Sequence, residues 1–324
     1  MLLLIATSAY AANANPFVGY WALTIPGGGA GWLGVTENQG KLSASILWGG
    51  GSVVPVDGVK MDGNTLVVTR LYHDDRKDAA GKTIRTTTTE TITATLDGDN
   101  LNLTTSKKRP DGSEGDKANF TGKRIPPLPS APDLSQVKFG APIILFNGKN
   151  LDGWRLVEPG SVSGWTVKDG VLNNNPVQEP GKPHKNYGNL RTIQEFEDFN
   201  LTLETNVPKG GNSGIYLRGI YEVQVADTFG RGVDSHNMGG LYSRITPTVA
   251  AEKPAGEWQT YDITLVDRHV TVILNGKKII DNQPLLGCTG GALWSDQFRP
   301  GPLYLQGDHT GANYRNIVIR PVVK

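Results

Sequence analysis

Apolar and polar residues alternate along much of the chain. The segments NLTLETNV, residues 200–207, and TYDITLVD, residues 260–267, carry apolar side chains at about every second position. A period of two is that of a β-strand with one buried face. TIRTTTTETITATL, residues 83–96, is β-branched almost throughout, which disfavours a helix. Since no segment shows a long helical period with capping residues, the pattern predicts an all-β protein.

Four dipeptides typical of tight turns lie between runs that can pair as antiparallel strands. They are Asp62-Gly63, Asp97-Gly98, Asp169-Gly170 and Asn275-Gly276. The clearest lies inside VTVILNGKKII, residues 270–280, where Asn-Gly favours a type I′ turn. The sequence therefore predicts a series of β-hairpins.

A stretch rich in proline and serine interrupts the alternation. It begins IPPLPSAPDLSQ and predicts a stiff linker over residues 125–138. We therefore expect a first domain over residues 15–124 and a second over residues 139–324. The first opens with Gly-Tyr-Trp and continues in short strands split by glycine, in a pattern loosely similar to lipocalin-type barrels. This predicts a small β-barrel or sandwich with an accessory role.

The chain begins with the apolar run MLLLIATSAYA, which ends in a small-x-small pattern. Such a run is typical of a signal peptide, although the positive residues that usually precede it are missing. It is too short to span a bilayer, and no later run is long enough. We expect residues 1–14 to be a signal peptide remnant and the protein to be secreted or periplasmic, with no membrane span.

Composition excludes several function classes. Seven Trp, ten Tyr and eight Phe among 324 residues can build a folded core. The formal net charge is +1, with acids and bases interspersed, so no basic stretch predicts a nucleic-acid partner. A single cysteine, Cys288, excludes an intramolecular disulfide.

The stretch NSGIYLRGIYEVQVAD, residues 212–227, holds two strand patterns with unusually many polar side chains. Strand alternation places the following residues on the faces opposite the apolar side chains: Asn212, Gly214, Tyr216, Arg218, Glu222 and Gln224. Near the C-terminus, Tyr304 and Gln306 repeat this arrangement. Polar groups that line a groove are satisfied by ligand or water, so we expect these side chains to line one groove.

The second domain closely resembles the 3-keto-disaccharide hydrolase domain family over nearly all of residues 139–324. Eight segments carry the resemblance in order, among them ILFNGKNLDGWRL, NLRTIQEFEDFNLTLETNV, GGNSGIYLRG, YEVQVAD and GPLYLQGDHTGANYRNIVIRPV. The resemblance implies a concanavalin A-like jelly roll, in which two antiparallel sheets stack and one has a concave face. The fold class that we expect is thus an all-β, C-terminal jelly-roll sandwich preceded by a small β-barrel or sandwich.

The resemblance also implies a carbohydrate substrate that has already been oxidised to a ketone at C3. The ketone acidifies the proton on C2, so a base can remove it and the enolate can expel the C1 substituent by β-elimination. Water can then add back, which gives net hydrolysis. Such a site needs a base, a group that stabilises the enolate and an acid for the leaving oxygen.

Candidate residues for these roles follow from their chemistry. Glu222 and His309 are alternatives for the base, since the ordinary pKa of histidine suits proton transfer at neutral pH. Asp308 can orient His309, although adjacent strand residues point to opposite faces. Arg218 or Arg315 would stabilise the enolate. Further candidates for binding the substrate are Asn212, Tyr216, Gln224, Asp227, His236, Tyr242, Trp258 and Gln306.

No zinc signature is present in the sequence, and a divalent cation held by carboxylates is left open. The sequence has no dinucleotide fingerprint, so we expect an upstream sugar 3-dehydrogenase to supply the ketone.

Two other functions compete with this interpretation. An ordinary glycoside hydrolase needs two carboxylates, and Glu222 with Asp227 would be roughly 16 Å apart along an extended strand. Asp308 or Glu204 could supply the second carboxylate instead. A non-catalytic carbohydrate-binding module is the other alternative, because a jelly roll does not decide function.

Overall fold

The computed structural model describes residues 15–77 and 81–323, so the predicted signal peptide lies outside the described residues. In this part of the chain the secondary structure consists of strands and turns. The predicted all-β class is confirmed. No helix that could cross a membrane is found among the described residues.

Nine strands arise from the described residues up to Ile125. They are β1 (Gly19–Thr24), β2 (Ala30–Asn38), β3 (Lys41–Trp48), β4 (Val54–Pro55), β5 (Gly58–Asp62), β6 (Thr65–Lys77), β7 (Thr83–Asp97), β8 (Asn100–Lys108) and β9 (Glu114–Ile125). They form one sheet in the order β4-β3-β2-β1-β9-β8-β7-β6-β5. Its buried residues include Trp21, Leu66 and Leu101.

Thirteen strands follow. They are β10 (Ile143–Ile144), β11 (Trp154–Leu156), β12 (Trp165–Lys168), β13 (Val171–Asn174), β14 (Leu190–Phe196), β15 (Phe199–Asn206), β16 (Asn212–Leu217), β17 (Tyr221–Ala226), β18 (Gln259–Val266), β19 (His269–Leu274), β20 (Lys277–Pro284), β21 (Gly301–Leu305) and β22 (Ala312–Pro321). They form an eight-stranded sheet, ordered β12-β13-β22-β15-β18-β19-β20 with β10 on β22, and a five-stranded sheet, ordered β11-β14-β21-β16-β17.

The chain divides into two compact units. Residues 22–32 and 47–54 pack with residues 125–324 in one unit. The other unit holds the remainder of the first 124 residues. Short segments of the N-terminal part are therefore built into the unit that carries the C-terminal sheets.

The two C-terminal sheets face each other across a shared core. The hydroxyls of Tyr314 on β22 and Ser213 on β16 lie 2.6 Å apart, and the Tyr261 hydroxyl on β18 donates to the Gln224 carbonyl on β17 at 3.0 Å. Leu203, Ile215 and their apolar neighbours fill the space between the sheets. This is the antiparallel sandwich predicted for a jelly roll.

All four predicted turn dipeptides join paired strands. Asn275 and Gly276 both have positive φ, 50° and 79°, as a type I′ turn requires. Asp169 and Gly170 do the same, with 52° and 75°.

Candidate active site

A cavity of about 360 Å³ lies over the outer face of the five-stranded sheet. We call it the catalytic cavity. Its lining consists of Gly50, Val157, Glu158, Asn189, Asn212, Tyr216, Glu222, Gln224, Tyr242, Gly290, Gly291, Ala292, Leu293, Tyr304, Gln306, Asp308 and His309. Strands β16, β17 and β21 supply the floor, and loops supply the rim.

The register of the three central strands gathers the polar floor. Tyr216 on β16 pairs with Glu222 on β17 and with Tyr304 on β21. Gly214, two residues before Tyr216 on β16, pairs with Gln224 on β17. Because alternate residues share a face, all of these point away from the sandwich core. The alternation seen in the sequence therefore produces one polar surface.

Glu222 lies at the cavity floor and is only 3% exposed. Burial raises the pKa of its carboxyl from 4.5 to about 8, because a buried carboxylate loses its hydration. The hydrogen bond from Tyr216 and the charge of His309 act in the opposite direction on this pKa but do not cancel the rise. Glu222 is therefore largely neutral at pH 7.

The Tyr216 hydroxyl is compatible with this protonation state. Its oxygen lies 2.9 Å from Glu222 Oε2 and 2.9 Å from the Gly290 carbonyl oxygen. A phenol carries a single proton and can donate to only one of them. Burial and the neighbouring carboxyl keep the pKa of Tyr216 well above its usual value. A protonated Glu222 can donate to Tyr216, which then donates to Gly290.

Two glycines give this pair the space that it needs. A Cβ at Gly214 would lie 2.5 Å from Glu222 Oε1, and a Cβ at Gly291 would lie 2.6 Å from the Tyr216 hydroxyl. Any other residue at Gly214 would displace the carboxyl group. The Tyr304 ring stacks on Tyr216 at 4.1 Å between centroids and limits the movement of its ring.

His309 lies in the loop between β21 and β22, at the cavity rim. Asp308 Oδ1 lies 2.7 Å from its Nδ1, a contact that strand geometry would forbid but a loop permits. This hydrogen bond raises the pKa of His309 above its ordinary value, with a further contribution from the negative charge of Asp308. Asp308 thus shifts the equilibrium of His309 toward the imidazolium form.

Two asparagines hold this loop in place. The Asn174 amide nitrogen donates to the carbonyls of Gly307 at 3.0 Å and Thr310 at 3.3 Å, on either side of His309. Asn189 Oδ1 accepts from the Gly307 N–H at 2.7 Å. The rim loop is therefore fixed to β13 and to the loop before β14.

The amides on the floor suit hydroxyl or carbonyl recognition. Gln224 Oε1 accepts from the Val225 N–H at 3.0 Å, which orients the amide and makes its nitrogen a donor toward the cavity. Gln306 and Asn212 line the cavity beside it.

Five predicted site residues lie outside the catalytic cavity, namely Arg218, Asp227, Arg315, Trp258 and His236. Arg218 turns away at a residue with φ of 54°, and its guanidinium donates to the carbonyls of Gln297 and Arg299. Asp227 accepts from the Gly210 N–H at 2.8 Å. Arg315 binds Glu204 at 2.6 Å and stacks on Trp258 at 3.9 Å, on the eight-stranded sheet.

His236 lies behind the rim rather than on it. Its ring meets Tyr242 edge to face at 4.8 Å, and its Nε2 lies 3.0 Å from Ser52 Oγ. Tyr242 itself lines the cavity. His236 therefore contacts a cavity residue without reaching the cavity.

The sequence interpretation did not include several lining residues. Glu158, Asn189, Leu293 and the Gly290-Gly291 pair come from loops, where no periodicity predicts which side chain faces the site. Their signal in the sequence is limited to Gly-Gly within a segment between strands.

Among the described residues, no group of three or more His, Cys, Asp and Glu side chains is arranged to hold a metal ion. The divalent cation considered from the sequence stays a prediction.

Comparison with known proteins finds similarity in the C-terminal part of the chain, which carries the floor of the cavity. Residues 141–320, more than half of the chain, match the model of a family described as the 3-keto-alpha-glucoside-1,2-lyase-like domain. A Bacteroides thetaiotaomicron protein named 3-keto-disaccharide hydrolase is 29% identical over 43% of this chain and 57% of its own length. A solved structure from Parabacteroides distasonis, named "putative glycosyl hydrolase", is 30% identical over 61% of this chain and 94% of that one, with a TM-score of 0.47.

Proposed function

Since the chain belongs to the 3-keto-alpha-glucoside-1,2-lyase-like family, we propose that it cleaves glycosides whose sugar ring carries a ketone at C3. The family resemblance expected from the sequence is thereby confirmed. The matched region spans little more than half of the Bacteroides relative, so the reaction is argued from the residues of this chain.

The observation that carries the proposal is a pair of proton-transfer groups that face one polar cavity. Glu222 lies at the floor with a pKa raised to about 8, and His309 lies at the rim with its pKa raised by Asp308. A raised pKa makes the ionised carboxylate a stronger base. A raised pKa also increases the fraction of imidazolium, the form that can act as an acid.

We assign the steps accordingly. Ionised Glu222 removes the C2 proton, and the electron pair forms the C2–C3 double bond of an enolate. The Gln224 amide donates to the enolate oxygen. The enolate then re-forms the ketone, makes a C1–C2 double bond and expels the C1 oxygen, which takes a proton from the His309 imidazolium. Addition of water to the C1–C2 double bond completes a hydrolysis.

The ketone has to be made elsewhere. Within the described residues the chain is built from β-sheets and holds no α/β nucleotide-binding domain. We propose that a separate sugar 3-dehydrogenase supplies the substrate.

One observation favours the alternative of a two-carboxylate hydrolase. Glu158, Glu222 and Asp308 all line the catalytic cavity, so a second carboxylate is available to Glu222 there. That mechanism requires no ketone, and the choice of substrate separates the two.

The test compares a chromogenic 3-keto-glucoside with its unoxidised parent, with and without a chelator. We expect release from the keto sugar alone, above the spontaneous rate. Glu222→Gln, which keeps the shape of the side chain, is expected to lower kcat/KM by roughly 10²- to 10⁴-fold. Asn173→Ala, on strand β13 of the eight-stranded sheet and outside the cavity, is the control.

Each other outcome has a definite meaning. Release from the parent would establish the two-carboxylate mechanism. Release from neither sugar would leave a carbohydrate-binding module. Loss of activity with the chelator, restored by a divalent cation, would establish a metal.

A further inference from the structure

A second cavity, of about 460 Å³, adjoins the catalytic cavity. The two share three lining residues, Glu158, Asn189 and Asp308. Because Asp308 is bonded to His309, the boundary between the cavities lies at the proton-transfer group of the rim. A ligand longer than one ring would pass this boundary.

The second cavity has a fixed wall. Its wall loops pair through a parallel bridge between Val162 and Tyr187, and the Val162 N–H donates to the Asn186 carbonyl at 2.8 Å. Gly188 permits this approach, since a Cβ there would meet Ser161. Backbone contacts of this kind shape the wall before any ligand arrives.

The loop that carries the remaining lining is also tied to itself. Gln178 accepts from the Lys185 N–H at 3.0 Å and donates to the Lys185 carbonyl at 2.8 Å. The Tyr187 hydroxyl donates to the Val177 carbonyl at 2.9 Å. These hydrogen bonds close residues 177–187 into a loop, which we call the closed loop.

The side chains that line the second cavity are of the types that bind sugar hydroxyls in proteins. His184 and Asn186 are exposed and lie against each other, with 3.3 Å between Nδ1 and Oδ1. Asn189, Glu158 and Asp308 add further donors and acceptors, and Tyr187 contributes a phenol ring. Side chains of these types favour a polyhydroxylated group over an apolar one.

We propose that this second cavity, the leaving-group chamber, binds the sugar that departs from C1. The substrate would then be a 3-keto-disaccharide, with its scissile bond at the Asp308–His309 boundary and its oxidised ring over Glu222. The inference rests on the proposed function for the identity of the reacting ring.

The first test compares two substrates that differ only beyond C1, a 3-keto-disaccharide and methyl 3-keto-glucoside. In the double variant His184→Ala/Asn186→Ala, kcat/KM for the disaccharide should fall about tenfold, as for the loss of one or two hydrogen bonds. The methyl glycoside should change less than about twofold. The backbone bond of Asn186 survives the change. Asn175→Ala, on an exposed asparagine outside both cavities, is the matched control.

Equal losses on the two substrates, or an unchanged rate on the disaccharide, would overturn the proposal. A second measurement does not depend on catalysis. Calorimetric titration of the Glu222→Gln protein with a glucose disaccharide and with methyl glucoside should show that the His184/Asn186 change weakens only disaccharide binding. Failure to cleave any keto sugar would defeat the proposed function, whereas equal affinities before and after the change would defeat the chamber.

Discussion

At the scale of single residues, the buried carboxyl of Glu222 has a definite chemical consequence. The pKa of about 8 means that the neutral form dominates at pH 7, while the small ionised fraction is an unusually strong base. The assignment of base and acid can therefore be tested by titration. The profile of the unmodified protein cannot separate the two groups, because exchanging their roles gives the same bell-shaped curve.

Removal of His309 isolates the contribution of Glu222. In His309→Asn with an aryl 3-keto-glucoside, whose leaving group needs no acid, kcat/KM should rise with pH to a plateau above about pH 8. The midpoint of this rise should lie at pH 8 or slightly higher, since the His309 charge that lowers the pKa of Glu222 is gone. The spontaneous rate is subtracted at each pH. A fall through the same pH range would make Glu222 the acid.

Arg218 shows at the same scale what alternation does not predict. The period of two places it with Tyr216, yet the strand ends at Leu217 and the left-handed φ of Arg218 begins the turn. For Asp308 and His309 the converse holds. Strand alternation argues against a contact between adjacent residues, yet the contact forms because both residues lie in a loop and not in a strand. Periodicity predicts faces only inside strands.

At the scale of elements, the strands supply the floor of the catalytic cavity and the loops supply its rim. Strands β16, β17 and β21 could be identified from their alternation, and with them the floor residues Tyr216, Glu222, Gln224 and Gln306. The loops that supply His309, Glu158 and the glycine pair have no period. Their placement depends on long-range hydrogen bonds, such as those of Asn174, that no local pattern reveals.

The rim loop gives a prediction at this scale. Asn174→Ala should release the loop on both sides of His309 and lower kcat about tenfold, the effect of about 1.4 kcal/mol, with a smaller change in KM. Because the Asp308 contact raises the pKa of His309, loosening it should lower that pKa toward its ordinary value. NMR titration of the histidine signals, assigned with His309→Asn, measures it.

Asn173→Ala is the control, because the side-chain amide of Asn173 donates to the Val171 carbonyl of its own strand and not to the rim loop as the structure describes it. A loss of activity in Asn174→Ala without a shift in the His309 pKa would show that the asparagine supports the fold and does not position the histidine.

At the scale of the whole molecule, Glu222 links function to stability. Its pKa is raised on folding, so the folded protein binds this proton more tightly than the unfolded chain does. The favourable contribution is fully present below about pH 4.5 and is lost as the pH rises through 8. At about 1.4 kcal/mol per pKa unit, the whole effect is on the order of 5 kcal/mol.

Glu222→Gln should remove this dependence. We expect the variant to be more stable than the unmodified protein at pH 9 and closely similar to it at pH 5, as measured by urea denaturation at both values. Other groups titrate in both proteins and cancel in the comparison. If the two proteins lost stability in parallel between pH 5 and 9, the carboxyl would not carry the raised pKa. Gains in stability on removal of a strained functional group are common.

The closed loop, residues 177–187, has a consequence for how the substrate specificity of the protein can change in evolution. Its internal bonds run between Gln178 and Lys185 and between Tyr187 and Val177, so its conformation is set largely by its own residues. The floor residues to which we assign the chemistry belong to strands that are hydrogen-bonded into the sandwich. The two parts can therefore change independently. Exchange of the closed loop for another of equal length could redirect the protein to a different leaving sugar, while the reacting ring is held as before.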